Sequence, residues 1–314
     1  MNRRLTGVIA IAAVVVFGVA YVVWTLNKPS SASSGNASTA GLKFVEQSDG
    51  RNTVDELAPD GARTTGSLKC QRFYTAAGTT SCLRLAGPGP TYELAVLDSA
   101  GTVLKTVGLP GVPSRTRVSD SGKVVSWTVF VTGDSYLAPG GFSTRTGYLN
   151  LADGTVVESL EHFTAYFDDT ARAHENFNYW GMTFADDDRT FYATLGSGTQ
   201  TWLVKGDVKT QEVRTMRTNA ECPSLSPDGK RVAYKKRGGT LGAWQLFVLE
   251  LDSGKETRLP GTDGLDDQAA WLDGTTLAYA KVPQGQAPAI YASAADGTGE
   301  PRVLVESASS PSPR

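Results

Sequence analysis

ECPSLSPDGKRVAYKKRGGTLGAWQLFVLELDSGKETRLP, residues Glu221–Pro260, decides the fold, because it reads as one complete β-meander that the rest of the chain repeats imperfectly. Pro223–Ser226 is a short run, Pro227-Asp228-Gly229-Lys230 a tight turn, and Arg231–Lys236 an alternating strand. Ala243–Leu251 is a further strand, Asp252-Ser253-Gly254-Lys255 a second turn, and Glu256–Leu259 a fourth strand. Proline presets φ, aspartate bonds its own backbone and glycine accepts φ > 0, so the turn chemistry is explicit. Four hairpin-linked strands expose two apolar faces that only neighbours of the same kind can bury.

Working outward, the first turn of this unit recurs at Ala76-Ala77-Gly78, Ser119–Gly122, Ala185–Asp188 and Trp271–Gly274. The last turn recurs at Asp98–Gly101, Ala152–Thr155, Val208–Gln211 and Ala295–Thr298. Intervals between the first turns are 44, 66, 41 and 45 residues, and the two series stay in phase. A period in the low forties with four strands per unit is the signature of a β-propeller. The expected fold class is all-β, a propeller of four-stranded antiparallel blades. Five full repeats run from Lys69, and residues 42–66, with short strands at Lys43–Val45 and Thr53–Leu57, make or complete a sixth blade, closure by both chain ends removing the sheet edges. Five blades with the fragment as an added edge strand is the alternative. The long interval carries two insertions, Thr132–Thr146 and Tyr166–Tyr179.

Ahead of the repeats, Leu5–Leu26 is uncharged and 22 residues long, enough at about 1.5 Å per helical residue to span a hydrocarbon core of about 30 Å. Arg3 and Arg4 precede it, so the positive-inside rule keeps residues 1–28 as a cytoplasmic tip and transmembrane signal anchor and sends the rest across the cytoplasmic membrane. A long cleavable signal is the competing reading, with a weak candidate site near Ser30-Ser31-Ala32. Residues 29–41 form a Ser/Ala/Gly linker, 42–306 the propeller, and 307–314 a Ser/Pro tail expected to be disordered. From residue 29 onward 27 bases face 32 acids, a net charge of −5 that argues against a nucleic-acid partner. The basic run Lys230, Arg231, Lys235, Lys236 and Arg237 is expected to be a solvated strand end.

The stretch CPSLSPDGKRVAY, Cys222–Tyr234, resembles the Ser-Pro-Asp-Gly repeat of the TolB-like propellers, the PD40 or WD40-like family. With the anchor, NYWGMTFADDDRTFYATL (Asn178–Leu195) and DDQAAWLD (Asp266–Asp273), the chain looks like the membrane-anchored actinobacterial members over essentially its whole length. The resemblance implies a six-bladed extracytoplasmic propeller and no particular activity. The Trp-Asp ending of cytoplasmic WD40 blades, the α/β-hydrolase domain of prolyl peptidases and the N-terminal α/β domain of TolB are all missing from the sequence.

The catalytic inventory is thin. Two histidines, His162 and His174, are too few for the usual metal clusters, and HExxH, CxxC, P-loop, GxGxxG and GxSxG are absent. Gly133-Asp134-Ser135 lacks the strand-to-helix setting that activates a serine. Asp186-Asp187-Asp188 occupies the turn slot of Pro227-Asp228-Gly229 and reads as a polar turn. Neither a metal nor a cofactor is expected. Segments entering the innermost strands converge at one mouth of a propeller channel, which gathers Arg115, Arg117, Asn178, Tyr179, Trp180, Glu221, Asp266, Asp267 and Gln268. Mixed charge, amides and aromatics there suit an envelope protein or a polar small ligand; capping of sheet ends through water-bridged hydrogen bonds is the bland alternative. The aromatic insertion Phe163–Trp180 is a second candidate contact, unless it folds back on its blade and buries its rings. Cys70 and Cys82, equidistant from Ala76, are expected to form a cross-strand disulfide, leaving Cys222 as a buried thiol. The function expected is a non-enzymatic binding scaffold. The alternative is a carbohydrate-active hydrolase or lyase using Glu221, Asp266 and Asp267 as acids, with carboxyl separations of about 5–5.5 or 6.5–9.5 Å in the hydrolase case.

Overall fold

The computed structural model describes residues 41–132, 142–173, 176–238, 243–283 and 285–313. The leading apolar segment and nearly all of its linker, Gly133-Asp134-Ser135 and His174 lie outside them. Among the described residues no helix is long and apolar enough to cross a membrane.

Strands follow in chain order. The first are β1 (Leu42–Glu46), β2 (Thr53–Leu57) and β3 (Arg63–Lys69). Then come β4 (Arg72–Ala76), β5 (Thr79–Leu85), β6 (Tyr92–Leu97) and β7 (Val103–Leu109), followed by β8 (Val112–Val118), β9 (Val124–Thr132), β10 (Phe142–Asn150) and β11 (Val156–Val157). After β12 (Thr164–Phe167) and β13 (Thr170–Arg172) lie β14 (Asn178–Phe184), β15 (Thr190–Ser197), β16 (Gln200–Asp207) and β17 (Glu212–Thr218). The template unit is β18 (Glu221–Leu225), β19 (Arg231–Arg237), β20 (Trp244–Glu250) and β21 (Glu256–Arg258). Last come β22 (Ala270–Trp271), β23 (Thr276–Lys281), β24 (Ala289–Ala294), β25 (Arg302–Glu306) and β26 (Ala308–Pro313). They form six sheets, each built on a four-stranded meander, so the molecule is a six-bladed propeller.

The sixth blade has the order β26-β1-β2-β3, which settles the blade number and corrects one expectation. Residues 308–313 are an innermost strand instead of a disordered tail, with Leu42 opposite Pro313 and Glu46 opposite Ala308. The Ser/Pro composition was misleading because the partner of this segment lies at the far end of the chain. Ala308 and Ser312 are fully buried. The Ser312 hydroxyl accepts from Thr75 N (2.9 Å) and donates to Thr75 O (3.2 Å), tying the closing strand to the next blade.

Turn chemistry repeats as the sequence indicates. Asp228 accepts from Lys230 N, Ser226 Oγ from Arg231 N, and Gly229 takes φ +67°. Ser119 Oγ accepts from Val124 N, and Asp273 from Thr275 N and Thr276 N, in the same slot of other blades. Asp187 accepts from Arg189 N and Thr190 N, which accounts for the Asp186–Asp188 triplet as a turn. Among the described residues no cluster of acids, histidines and cysteines is suited to a metal.

The core is a ring of apolar clusters lying between blades. The aromatic insertion adds to one of them: β12 runs parallel to the outer strand β17, and Phe163, Phe167 and Tyr179 are buried with Phe184 and Phe191. The Tyr166 ring is covered by Arg214, whose guanidinium carbon is 4.3 Å from its centroid. These rings therefore serve packing, and the insertion is not an exposed aromatic contact surface. Cys70 and Cys82 are bonded, with Cα atoms 5.3 Å apart, and Cys222 is free and buried. The strand partner of Cys82 is Phe73. Cys70 reaches it from the β3–β4 link, because the hairpin pivots between Ala76 and Thr79 and not on Ala76.

Removing residues 308–314 is expected to abolish cooperative unfolding, since an inner strand and its ladder vanish together. Ser312→Ala is expected to cost about 1–2 kcal/mol, the usual loss for a buried hydroxyl with two backbone partners, measured by urea unfolding.

Candidate functional site

The inner strands β4, β8, β14, β18, β22 and β26 line a narrow channel, and the links entering them form one mouth. Asp266 centres it. Its Oδ1 accepts from Lys235 Nζ at 2.6 Å, while Arg115 Nη2 donates to its backbone oxygen at 3.1 Å and lies 3.8 Å from Oδ1. Asp267 is held from three sides: Oδ1 accepts from Gln268 N, Oδ2 accepts from Ala280 N, and Arg115 Nε stands 3.8 Å away. Gln268 is buried and its Nε2 donates to the carbonyls of Gly181 (3.1 Å) and Pro223 (2.6 Å), bridging two blades. Arg117, 6 % exposed, donates to the Gln268 and Ala269 carbonyls and stacks on Tyr74, 4.4 Å from its centroid.

A second wall is built on Trp244. Lys235 Nζ (4.4 Å) and Arg237 Cζ (4.2 Å) both lie over its ring, and its Nε1 donates to Glu221 Oε1 at 3.1 Å. Arg237 Nε also reaches Glu221 Oε1, at 3.4 Å. Trp180 is half-buried and covers Gly196, where an added Cβ would meet the indole at 2.5 Å. Gly181 is required for a different reason: it has φ +67°, and a Cβ would lie 2.7 Å from Cys222 Cα.

Of the residues expected at the mouth, Arg115, Arg117, Asp266, Asp267 and Gln268 are joined in one network, with Glu221 beside it through Trp244. Two are elsewhere. Asn178 bonds the backbone of Thr144 and Asn176, and Tyr179 is 1 % exposed in the apolar cluster, where burial pushes its phenol well above the usual range. Strand alternation explains Tyr179, whose side chain points to the face opposite that of its β14 neighbour Trp180, while Asn178 is taken up by its backbone bonds. The reading also missed Arg72, Lys235 and Trp244. Lys235 is 2 % exposed and not part of a solvated strand end, because it stands opposite Glu221 on the inner side of β19. Its two-residue spacing from Arg237, which puts both on one face of the strand while Lys236 points away to Glu256, was the available signal.

The electrostatics follow from this geometry. Partial loss of solvent against the mouth raises the cost of an ionised Asp266, although its side chain stays largely exposed, but Lys235 and Arg115 outweigh it and hold its carboxyl below the ordinary range. Burial pulls the Lys235 ammonium down, and the Cys222 sulfur and Asp266 together bring it above its ordinary value. Burial likewise opposes the Arg115 charge, and Cys222, Asp267 and Asp266 restore and raise its pKa.

No family model matches the chain, and no curated protein matches it in sequence. Its fold is shared with solved structures. TolB from Acinetobacter baumannii superposes with a TM-score of 0.64 at 17 % identity, over 89 % of this chain and 67 % of that one. A chain of the nidogen/laminin complex gives 0.58 at 10 %, over 87 % and 97 %. The putative TolB from Agrobacterium tumefaciens gives 0.52 at 10 %, over 85 % and 88 %. The fold is thus that of the TolB-like six-bladed propellers.

Because the folded pKa of Asp266 lies below its unfolded value, its pairing adds stability above about pH 4 and loses it as pH falls through the depressed pKa. Asp266→Asn should therefore lower the melting temperature near neutrality and flatten its decline on acidification, as followed by a pH series of thermal melts.

Proposed function

We propose that the protein is a membrane-anchored, extracytoplasmic propeller that works as a non-enzymatic binding scaffold, presenting its channel mouth to an envelope protein or a polar ligand. The observation that carries this reading is the engagement of the three acids expected at the mouth, Asp266, Asp267 and Glu221. Asp266 is bound by Lys235, Asp267 by two backbone amides, and Glu221 by Trp244 and Arg237. A glycosidase needs a carboxyl held protonated near neutrality beside an ionised partner. Asp266 is pushed the other way, which favours a recognition surface over a pair of catalytic acids.

The apolar segment Leu5–Leu26 after Arg3 and Arg4 supports the anchor, and the Cys70–Cys82 bond suits an oxidising compartment outside the cytoplasm. The nidogen/laminin complex has a chain of this fold within a protein–protein assembly, which favours a protein partner here. At the rim, Asp266 (64 % side-chain exposure), Arg237 (57 %) and half-buried Trp180 are the groups within reach of such a partner.

Trp180→Ala combined with Asp266→Ala leaves the apolar clusters intact and should remove partner adducts recovered by cross-linking intact cells. Unchanged adducts from the folded double variant would sink the mouth as the binding surface, and glycan cleavage lost in Asp267→Asn would replace the scaffold with an enzyme.

A further inference from the structure

Below the rim, the channel narrows to a cavity of about 10 Å³ walled by Arg72, Arg115, Arg117, Asp267, Gln268 and the closing strand at Ser310. Its charge is unbalanced. Three guanidiniums face the Asp267 carboxylate, whose oxygens already accept from Gln268 N and Ala280 N, and the only other carboxylate among the described residues within ion-pair distance of any of the three, Asp266 beside Arg115, is shared with Lys235. Among the described residues neither Arg72 nor Arg117 has a carboxylate within ion-pair distance; Arg72 donates to the Ser114 and Gln71 carbonyls and Arg117 to those of Thr116, Gln268 and Ala269. The Nε atoms of Arg115 and Arg117 are buried without a hydrogen-bond partner, as is Gln268 Oε1. Buried charge in a medium of low dielectric is costly unless a counter-charge stands beside it. Burial and mutual repulsion with Arg115 pull both Arg72 and Arg117 below the usual arginine value, as expected for cations lacking such a partner.

We infer that this throat is a binding site for a single monatomic halide, chloride under ordinary conditions, held by the free Nε–H groups of Arg115 and Arg117. The surplus of positive charge selects a small anion, and the cavity of about 10 Å³ bounds its size. About 10–15 Å³ accommodates one water-sized body, so sulfate, phosphate and a peptide carboxylate are too large, and chloride, itself larger than water, enters with side-chain adjustment. The site joins the first blade through Arg72, the second through Arg115 and Arg117, the fifth through Asp267 and Gln268, and the closing blade through Ser310. Chloride there acts as a structural tie at the propeller axis, which goes beyond the partner-binding role of the rim and does not depend on it.

The test uses the full chain in non-ionic detergent, melted in sodium gluconate and in sodium chloride at equal ionic strength, so that screening is constant. Chloride at about 0.15 M should raise the melting temperature by about 3–5 °C, as a ligand bound only by the folded state does. Bromide should substitute, and Arg117→Gln should erase the difference. Crystals grown in sodium bromide should show an anomalous peak between the Arg115 and Arg117 Nε atoms, a readout that stands even if Arg117→Gln fails to fold. Equal melting in the two anions, or a water bridging Arg117 Nε and Gln268 Oε1 with no bromide peak, overturns the assignment.

Discussion

The structure depends on one long-range pairing, that of β26 with β1. A propeller whose blades only stack would leave the first and last sheets with a free seam, and the inner edge of the sixth blade would face the channel unpaired. Strand 308–313 closes it, and Ser312 carries the closure into the first blade by bonding both backbone groups of Thr75. Every other blade is made from consecutive hairpins whose turns nucleate locally, so the closing blade alone pays a large loop-closure entropy. Its inner-strand position also places Ser310 against the channel throat, which makes the axis of the molecule complete only when the chain ends meet.

Much of this was legible in the sequence because turn chemistry is local. Pro227-Asp228-Gly229 and Asp252-Ser253-Gly254 announce hairpins without help from the rest of the chain, and their phased copies mark five of the six blades. The Cys70–Cys82 bond was legible for a similar reason, although its geometry differs in register. What was not legible is non-local. Ala308–Pro313 has the composition of a tail and becomes a strand only through a partner some 260 residues earlier in the chain, the kind of tertiary context that overrides local propensity. Lys235 looked like one of a solvated basic run, yet Asp266, in the next blade, makes its burial tolerable. Tyr179 sat beside mouth residues in sequence and points the other way because strands alternate.

The mouth shows the same economy of pairing. Lys235, Arg115 and Asp266 neutralise one another, Arg237 and Lys235 share the face of Trp244, and Glu221 anchors that ring from its edge. Such a network fixes the positions of its side chains and leaves, among the described residues, the outermost groups Asp266, Arg237 and Trp180 to meet another molecule. A rigid, charge-patterned rim on a closed scaffold suits selective recognition, and Asp266, held below the ordinary carboxylate range by Lys235 and Arg115, is poorly placed to give up a proton near neutrality.

A photo-activatable phenylalanine analogue placed at Trp180 of the full chain, and separately at Asp187 on the opposite face, asks whether this rim is a working surface. On illumination of cells a discrete adduct is expected from position 180 and none from 187. Adducts from 187 alone, or none from either position with the protein folded and abundant, would contradict it.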